Sequence, residues 1–155
     1  MALAKASSAA RDRFVYVTYI RTTADKLWNA LTDPEFTRKY WFGMKSDSTF
    51  KKGAPWKLQS SDGTIWDAGE VLEAKRPKKL VLAWQHQMKA AMKKEGFSRC
   101  TFELEPAGGV VKLTVTHEIK GTRTKFISAV SGGWPMVLSG LKTVLETDQV
   151  LQIPR

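Results

Sequence analysis

Cysteine is nearly missing from this chain. Its single Cys100, among 155 residues, excludes an intrachain disulfide and any cysteine-rich zinc site. Histidine is almost as scarce: with only His86 and His117, no structural metal centre is expected. No run approaches the roughly 18 apolar residues of a membrane-spanning helix. The opening stretch, Met1 to Ala10, lacks the apolar core of a secretory signal, although it could pass for a short Ser-rich, basic transit peptide. The plainer reading is an unstructured tail over residues 1–12, and the chain is expected to be cytoplasmic. Acidic residues are also short in supply. Fifteen Asp and Glu face 25 Lys and Arg, for a net charge of +10. That excess suits nucleic acid, an anionic membrane surface or an acidic partner, and charge alone does not choose among them.

What is present is ordinary for a folded domain. Hydrophobic residues make up 43% and charged residues 26%. A chain of this length buries roughly 68–70% of its unfolded surface, enough for one core without staples. Phe14-Val15-Tyr16-Val17-Thr18-Tyr19-Ile20 is β-branched and aromatic, and predicts a strand. Thr22, with Asp25 three residues on, has capping-box spacing for a helix whose inner face is Ala24, Leu27, Trp28 and Leu31. Asp33-Pro34 starts a second short helix, carrying Phe36, Tyr40 and Trp41 inward.

Strand signals follow. Trp56 to Gln59 and Thr64 to Trp66 flank an Asp62-Gly63 turn. Gly69 to Ala74 and Leu80 to His86 flank a turn at Pro77. Met88 to Glu95 reads as a loop or a short helical turn. Two further strands alternate cleanly, one with Cys100, Phe102 and Leu104 inward, the next with Val111, Leu113, Val115, His117 and Ile119 inward. A four-residue loop, Pro106 to Gly109, would set Phe102 opposite Leu113 and Cys100 opposite Val115. Near the C-terminus Trp134, Val137, Leu138, Leu141, Val144 and Leu145 keep helical spacing. Ser131-Gly132-Gly133 before Pro135 marks that helix's start or a bend, with Phe126, Ile127 and Val130 in a preceding segment.

The order is strand, two short helices, antiparallel strands, then one long amphipathic helix, the only element large enough to cover the sheet's apolar face. Particular residues narrow this. Asp25-Lys26-Leu27-Trp28-Asn29-Ala30-Leu31-Thr32-Asp33-Pro34-Glu35 resembles the first helix of the START-like, or SRPBCC, superfamily. Gly69-Glu70-Val71-Leu72-Glu73, the turn Pro77-Lys78-Lys79-Leu80-Val81 leading to Trp84, Val115-Thr116-His117-Glu118, and Gly133-Trp134-Pro135 with Leu138, Leu141 and Leu145 resemble its branch of homologues of the activator of heat-shock-protein-90 ATPase. The resemblance covers about residues 13–149, leaving 150–155 as a C-terminal tail. It implies an α+β helix-grip fold, a curved antiparallel sheet of six or seven strands wrapped around the last helix. It also points to a stress-response role, with functions across the superfamily that run from lipid carriage to polyketide cyclisation; fold alone does not choose among them.

The expected site is a cavity between sheet and helix, lined by Trp84, Phe102, Leu113, Val115, His117, Trp134, Leu138 and Leu141, for a small hydrophobic ligand. An interaction module meeting an acidic partner such as a chaperone through its basic surface is the alternative. An enzyme of the cyclase or dehydratase kind, with His117 or His86 as acid–base, is the second. Each histidine also suits a hydrogen-bonded core position, and each tryptophan a packed core. Glu118 is out of phase with the apolar face, and Cys100 lacks an activating neighbour. Glu70 and Glu73 are further candidate bases. No nucleophile elbow, phosphate loop or metal-binding helix motif is found, and no cofactor is expected. The basic clusters at Lys51-Lys52, Lys75 to Lys79, Lys89 to Lys94 and Lys120 to Lys125 are scattered over turns. That pattern argues for a solvated surface over nucleic-acid binding. A monomer or homodimer fits equally.

Overall fold

The computed structural model describes residues 10–154. Its elements run β1 (Arg11–Ile20), α1 (Ala24–Thr32), α2 (Pro34–Thr37), β2 (Lys45–Asp47), β3 (Pro55–Gln59), β4 (Ile65–Lys75), β5 (Lys79–His86), α3 (Ala90–Lys93), β6 (Ser98–Ala107), β7 (Val110–Lys120) and α4 (Lys125–Thr147). The strands form one seven-stranded antiparallel sheet in the order β1-β7-β6-β5-β4-β3-β2. From β2 to β7 it is a simple meander. β1 departs from that order: α1 and α2 carry the chain from β1 at one edge to β2 at the other. This is the helix-grip architecture expected from the resemblance.

The alternation of β6 and β7 places Phe102, Leu104, Leu113 and Val115 on the covered face, while Glu103 and Thr114 stay partly exposed. The faces match expectation but the register differs by two residues. Phe102 pairs with Val115, Cys100 with His117 and Leu104 with Leu113. The turn is the reason. Pro106 and Ala107 remain in the strand, and Gly108-Gly109 alone makes the connection, Gly108 taking φ +71°. A two-residue turn needs the left-handed backbone that glycine adopts freely.

Helix boundaries shift for similar local reasons. Thr23, not Thr22, caps α1 and accepts from Lys26 N at 3.2 Å. Asp33 caps α2 through Glu35 N, with Pro34 in the first turn as expected. β1 begins at Arg11, so Arg11 and Asp12 of the expected tail are paired with Lys120 and Ile119; residues 1–9 lie outside the described residues. Within Met88–Glu95 only a single turn, α3, is helical, and it buries Met92.

α4 neither starts nor breaks at Gly132-Gly133-Pro135. It runs for 23 residues, about 35 Å at the helical rise, across the apolar face of the sheet. Thr124 accepts from Ile127 N, and Glu95 takes Lys125 N and Phe126 N, each at 2.9 Å. Those caps secure the first turn. Phe126, Ile127 and Trp134 are buried on the near side of Pro135, and Val137, Leu138 and Leu141 beyond it. Burial on both sides offsets the roughly 3 kcal/mol that an interior proline costs.

Candidate functional site

All eight residues expected to line a cavity do meet between the sheet and α4, and each is at most 3% exposed. They meet as packed core. Trp84 of β5 lies 4.5 Å from Trp56 of β3, 5.9 Å from Trp134 of α4 and 4.9 Å from the His117 ring, measured between centroids. Phe102 meets Trp134 edge-on at 5.8 Å. Trp41, from the turn after α2, closes the group at 5.9 Å from Trp84 and 5.4 Å from Trp134. Tilted and edge-to-face rings at these spacings are favourable contacts. The principal pockets among the described residues, about 280 to 530 Å³ each, lie at the periphery, and none is lined by any of the eight.

The polar groups around His117 are all hydrogen-bonded. Trp134 Nε1–H donates to His117 Nδ1 at 3.1 Å. Ser98 donates its hydroxyl hydrogen to the Trp84 carbonyl at 2.9 Å, so its oxygen is left to accept from His117 Nε2 at 2.8 Å. This fixes the neutral tautomer with the proton on Nε2. Burial pushes the His117 pKa down to about 3. A neutral imidazole with both nitrogens engaged has neither lone pair nor proton for a substrate. His117 therefore sits as the hydrogen-bonded core histidine, and holds Trp134 against the sheet.

His86 differs. Asp67 Oδ1 accepts from Trp84 Nε1 at 2.8 Å and lies 3.1 Å from His86 Nδ1, which orients the ring. His86 Nε2 is buried with no partner among the described residues. Of the two candidate acid–bases, only His86 keeps a free nitrogen. Asp67 and Ser98 escaped the sequence reading, because their partners come from other strands; the signal was a polar residue at an inward position of each.

The remaining candidates lie outside this cluster or are buried in it without an activating neighbour. Cys100 is fully buried, and burial raises its thiol pKa well above the ordinary value. Glu118 bridges Arg11 and Arg13, at 2.9 and 3.3 Å. Glu73 lies between Lys75 and Lys79, while Glu70 is exposed. No group of three potential metal ligands occurs among the described residues. No helix there is long and apolar enough to cross a membrane.

Another pocket, about 280 Å³, lies between the Trp41 turn and α4, bordered by Arg38, Tyr40, Phe42, Met136, Gly140 and Ile153. Tyr40 hydrogen-bonds the Ala30 carbonyl at 2.7 Å and presses on Gly140, where an added Cβ would meet Tyr40 Cβ at 3.2 Å. A glycine in mid-helix lets the Trp41 turn sit this close.

The geometry has counterparts among solved structures. A protein from Mesorhizobium loti superposes with a TM-score of 0.74 at 23% identity, covering 86% of this chain and 96% of its own. An HSP90 activator from Plasmodium falciparum does so at 0.70 and 21%, covering 86% and 95%. The Aha1 dimer from Colwellia psychrerythraea does so at 0.69 and 19%, covering 88% and 97%. At such identities the likeness shows the fold alone. No curated protein sequence matches the chain. The model of one sequence family, described as activator of Hsp90 ATPase homolog 1-like protein, matches residues 21–146. Seven antiparallel strands gripping a capped C-terminal helix, with that match over most of the chain, place this protein in the Hsp90 ATPase activator homolog 1-like family.

Proposed function

We propose that this domain works as a protein-interaction module in the cytoplasm, meeting an acidic partner through its basic surface, with an Hsp90-type chaperone as the first partner to test. The observation that carries this reading is the closed interior. Every polar atom of His117, Ser98 and the Trp134 indole is engaged within the protein, and the rings fill the space between sheet and helix. The net charge of +10 supplies long-range attraction to an acidic surface. The family description and the Plasmodium falciparum neighbour support a chaperone partner. The test is the ATPase rate of Hsp90 from the same organism, with and without this protein, together with calorimetric binding at low and high salt. Stimulation and salt-weakened binding are expected. Unchanged ATPase with no binding at low salt sinks the reading.

A second reading rests on the Trp41 turn. Phe42 (φ +52°) and Gly43 (φ +78°) are consecutive left-handed residues directly after Trp41. A swing at that point would lift Trp41 off Trp84 and Trp134 and open a site on Trp84, Phe102, Leu113, Val115, His117, Trp134, Leu138 and Leu141 for a flat hydrophobic molecule. Any chemistry there would fall to His86, not His117. Titration with an apolar dye checks it: quenched tryptophan emission with saturable dye binding supports the site, and unchanged emission at every dye concentration removes it.

A further inference from the structure

Two adjoining depressions flank the first turn of α4 and share Arg123, Thr124 and Ser128. One, of about 370 Å³, lies toward β1 and is bordered by Arg13, Phe14 and Ile127. The other, of about 460 Å³, lies toward α3 and is bordered by Lys89, Met92 and Lys125. Together they make one groove with two kinds of wall. Its floor is apolar: Met92 and Ile127 are buried and Phe14 is half-buried. Its rim is cationic, with Lys89, Arg123 and Lys125 all exposed.

One carboxylate, Asp12, lines the depression toward β1, and it and the nearby Glu95 and Glu118 are already engaged. Asp12 Oδ2 accepts from Thr124 N at 2.8 Å and from Thr124 Oγ1 at 2.7 Å. Glu95 binds Lys125 N and Phe126 N with its two oxygens. Glu118 holds Arg11 and Arg13. The main-chain amides of the α4 N-terminus are thus already capped. Lys89, Arg123 and Lys125 form no ion pair among the described residues. Arg123 is moreover held at φ +49°, a left-handed conformation that costs a non-glycine residue energy, and that presents its side chain at the junction of the two depressions. Three unpaired cations over an apolar floor select a ligand that offers both carboxylates and apolar side chains. A rigid polyanion offers only the first.

We propose that this groove binds an extended segment of an acidic protein partner, its Asp or Glu side chains on Lys89, Arg123 and Lys125 and its apolar side chains over Met92 and Ile127. The proposal rests on the interaction reading above, and names the surface and the chemistry of the segment it takes.

The test uses the full chain and fluorescence anisotropy with a fluorescein-labelled peptide of mixed glutamate and leucine. Polyglutamate and a DNA duplex are the competitors. The double variant Lys89→Glu with Lys125→Glu probes the groove. Lys89 and Lys125 are exposed and form no ion pair among the described residues, so the fold is retained, as an unchanged melting temperature would verify. Lys51→Glu with Lys52→Glu makes the same change in net charge at the exposed turn before β3. The wild type should bind the mixed peptide more tightly than polyglutamate, with affinity falling as salt rises. The groove variant should lose about tenfold or more, and the control about twofold or less. Equal losses in both variants overturn the groove and leave the acidic-partner reading standing. Equal affinity for polyglutamate overturns the apolar floor, and displacement by DNA at equal charge overturns the peptide specificity. Peptide capture that depends on the groove, in a protein that does not engage Hsp90, removes the chaperone and keeps the groove.

Discussion

The aromatic interior and the cationic end around the α4 N-terminus treat polar groups in opposite ways. Inside, each nitrogen of His117 has one partner, each indole N–H of Trp84 and Trp134 has one acceptor, and the rings leave no lined cavity. At the end of the sheet Asp12 and Glu95 are matched to backbone amides, and Lys89, Arg123 and Lys125 are left over. Around His117 the network is saturated, and such a network is stiff and has nothing to offer a visitor. An excess of one charge, with its counter-charges tied to the main chain, is built to meet something outside.

The sharpest way to break this contrast is to open the interior. Trp134→Ala removes a large ring and leaves His117 Nδ1 without its donor, so unfolding free energy in urea should fall by about 3–5 kcal/mol. A loss below about 1 kcal/mol would mean the interior was loosely packed, and would favour the ligand site under Trp41.

Next comes proton linkage. His117 is neutral in the fold down to about pH 3, whereas the unfolded chain takes its proton near pH 6.5. Between those values the unfolded state binds more protons, so stability falls as pH falls. One proton contributes about 1.4 kcal/mol per pH unit. From pH 6.5, where the unfolded imidazole is already half protonated, to pH 5 the wild type should therefore lose about 1.6 kcal/mol more than His117→Gln. Superimposable curves would show that His117 is not held neutral.

The cationic end should respond more gently. Glu95→Gln keeps the shape but discharges the acceptor on Lys125 N and Phe126 N, and should cost about 1 kcal/mol in thermal denaturation. No loss would show that water caps α4 equally well. Smallest of all, Lys125→Gln, which removes an exposed charge without adding a carboxylate beside Glu95, should change stability by about 0.5 kcal/mol or less. A larger destabilisation would reveal a structural role for that lysine and weaken the reading of the rim as free charge.

Much of the fold was legible because period carries it. The alternation of β6 and β7 identified the covered face, and the spacing from Trp134 to Leu145 identified α4. What period does not carry is connection. Pro106-Ala107-Gly108-Gly109 holds enough turn formers for two different loops, and the shorter one moved the register by two residues while leaving both faces intact. Gly132-Gly133-Pro135 reads locally as a break, yet the cap that stabilises the start of α4 comes from Glu95, thirty residues earlier. The site was legible as a set of neighbours and illegible as an arrangement. Whether Trp41, Trp84 and Trp134 surround a space or fill it depends on a few ångströms that no spacing encodes. Asp67 and Ser98 acquire meaning only once β4, β5, β6 and β7 lie side by side.

The place of β1 at the sheet edge has a consequence for how the chain is made. β1 leaves the ribosome before the other six strands of this sheet, yet its hydrogen-bonding partner is β7, with Arg11 paired to Lys120 and Ile20 to Val111. The meander from β2 to β7 can assemble through hairpins as it emerges, but β1 must wait for nearly the whole chain. Closing that long loop is the slow, entropically costly step of such a topology. Until it closes, the nascent protein shows Phe14 and Tyr16 on one side, and on the other Val15, Val17 and Tyr19, which stay about half exposed even in the finished fold. The topology thus ties completion of the sheet during synthesis to the pairing of β1 with β7, the strand pairing most distant in sequence.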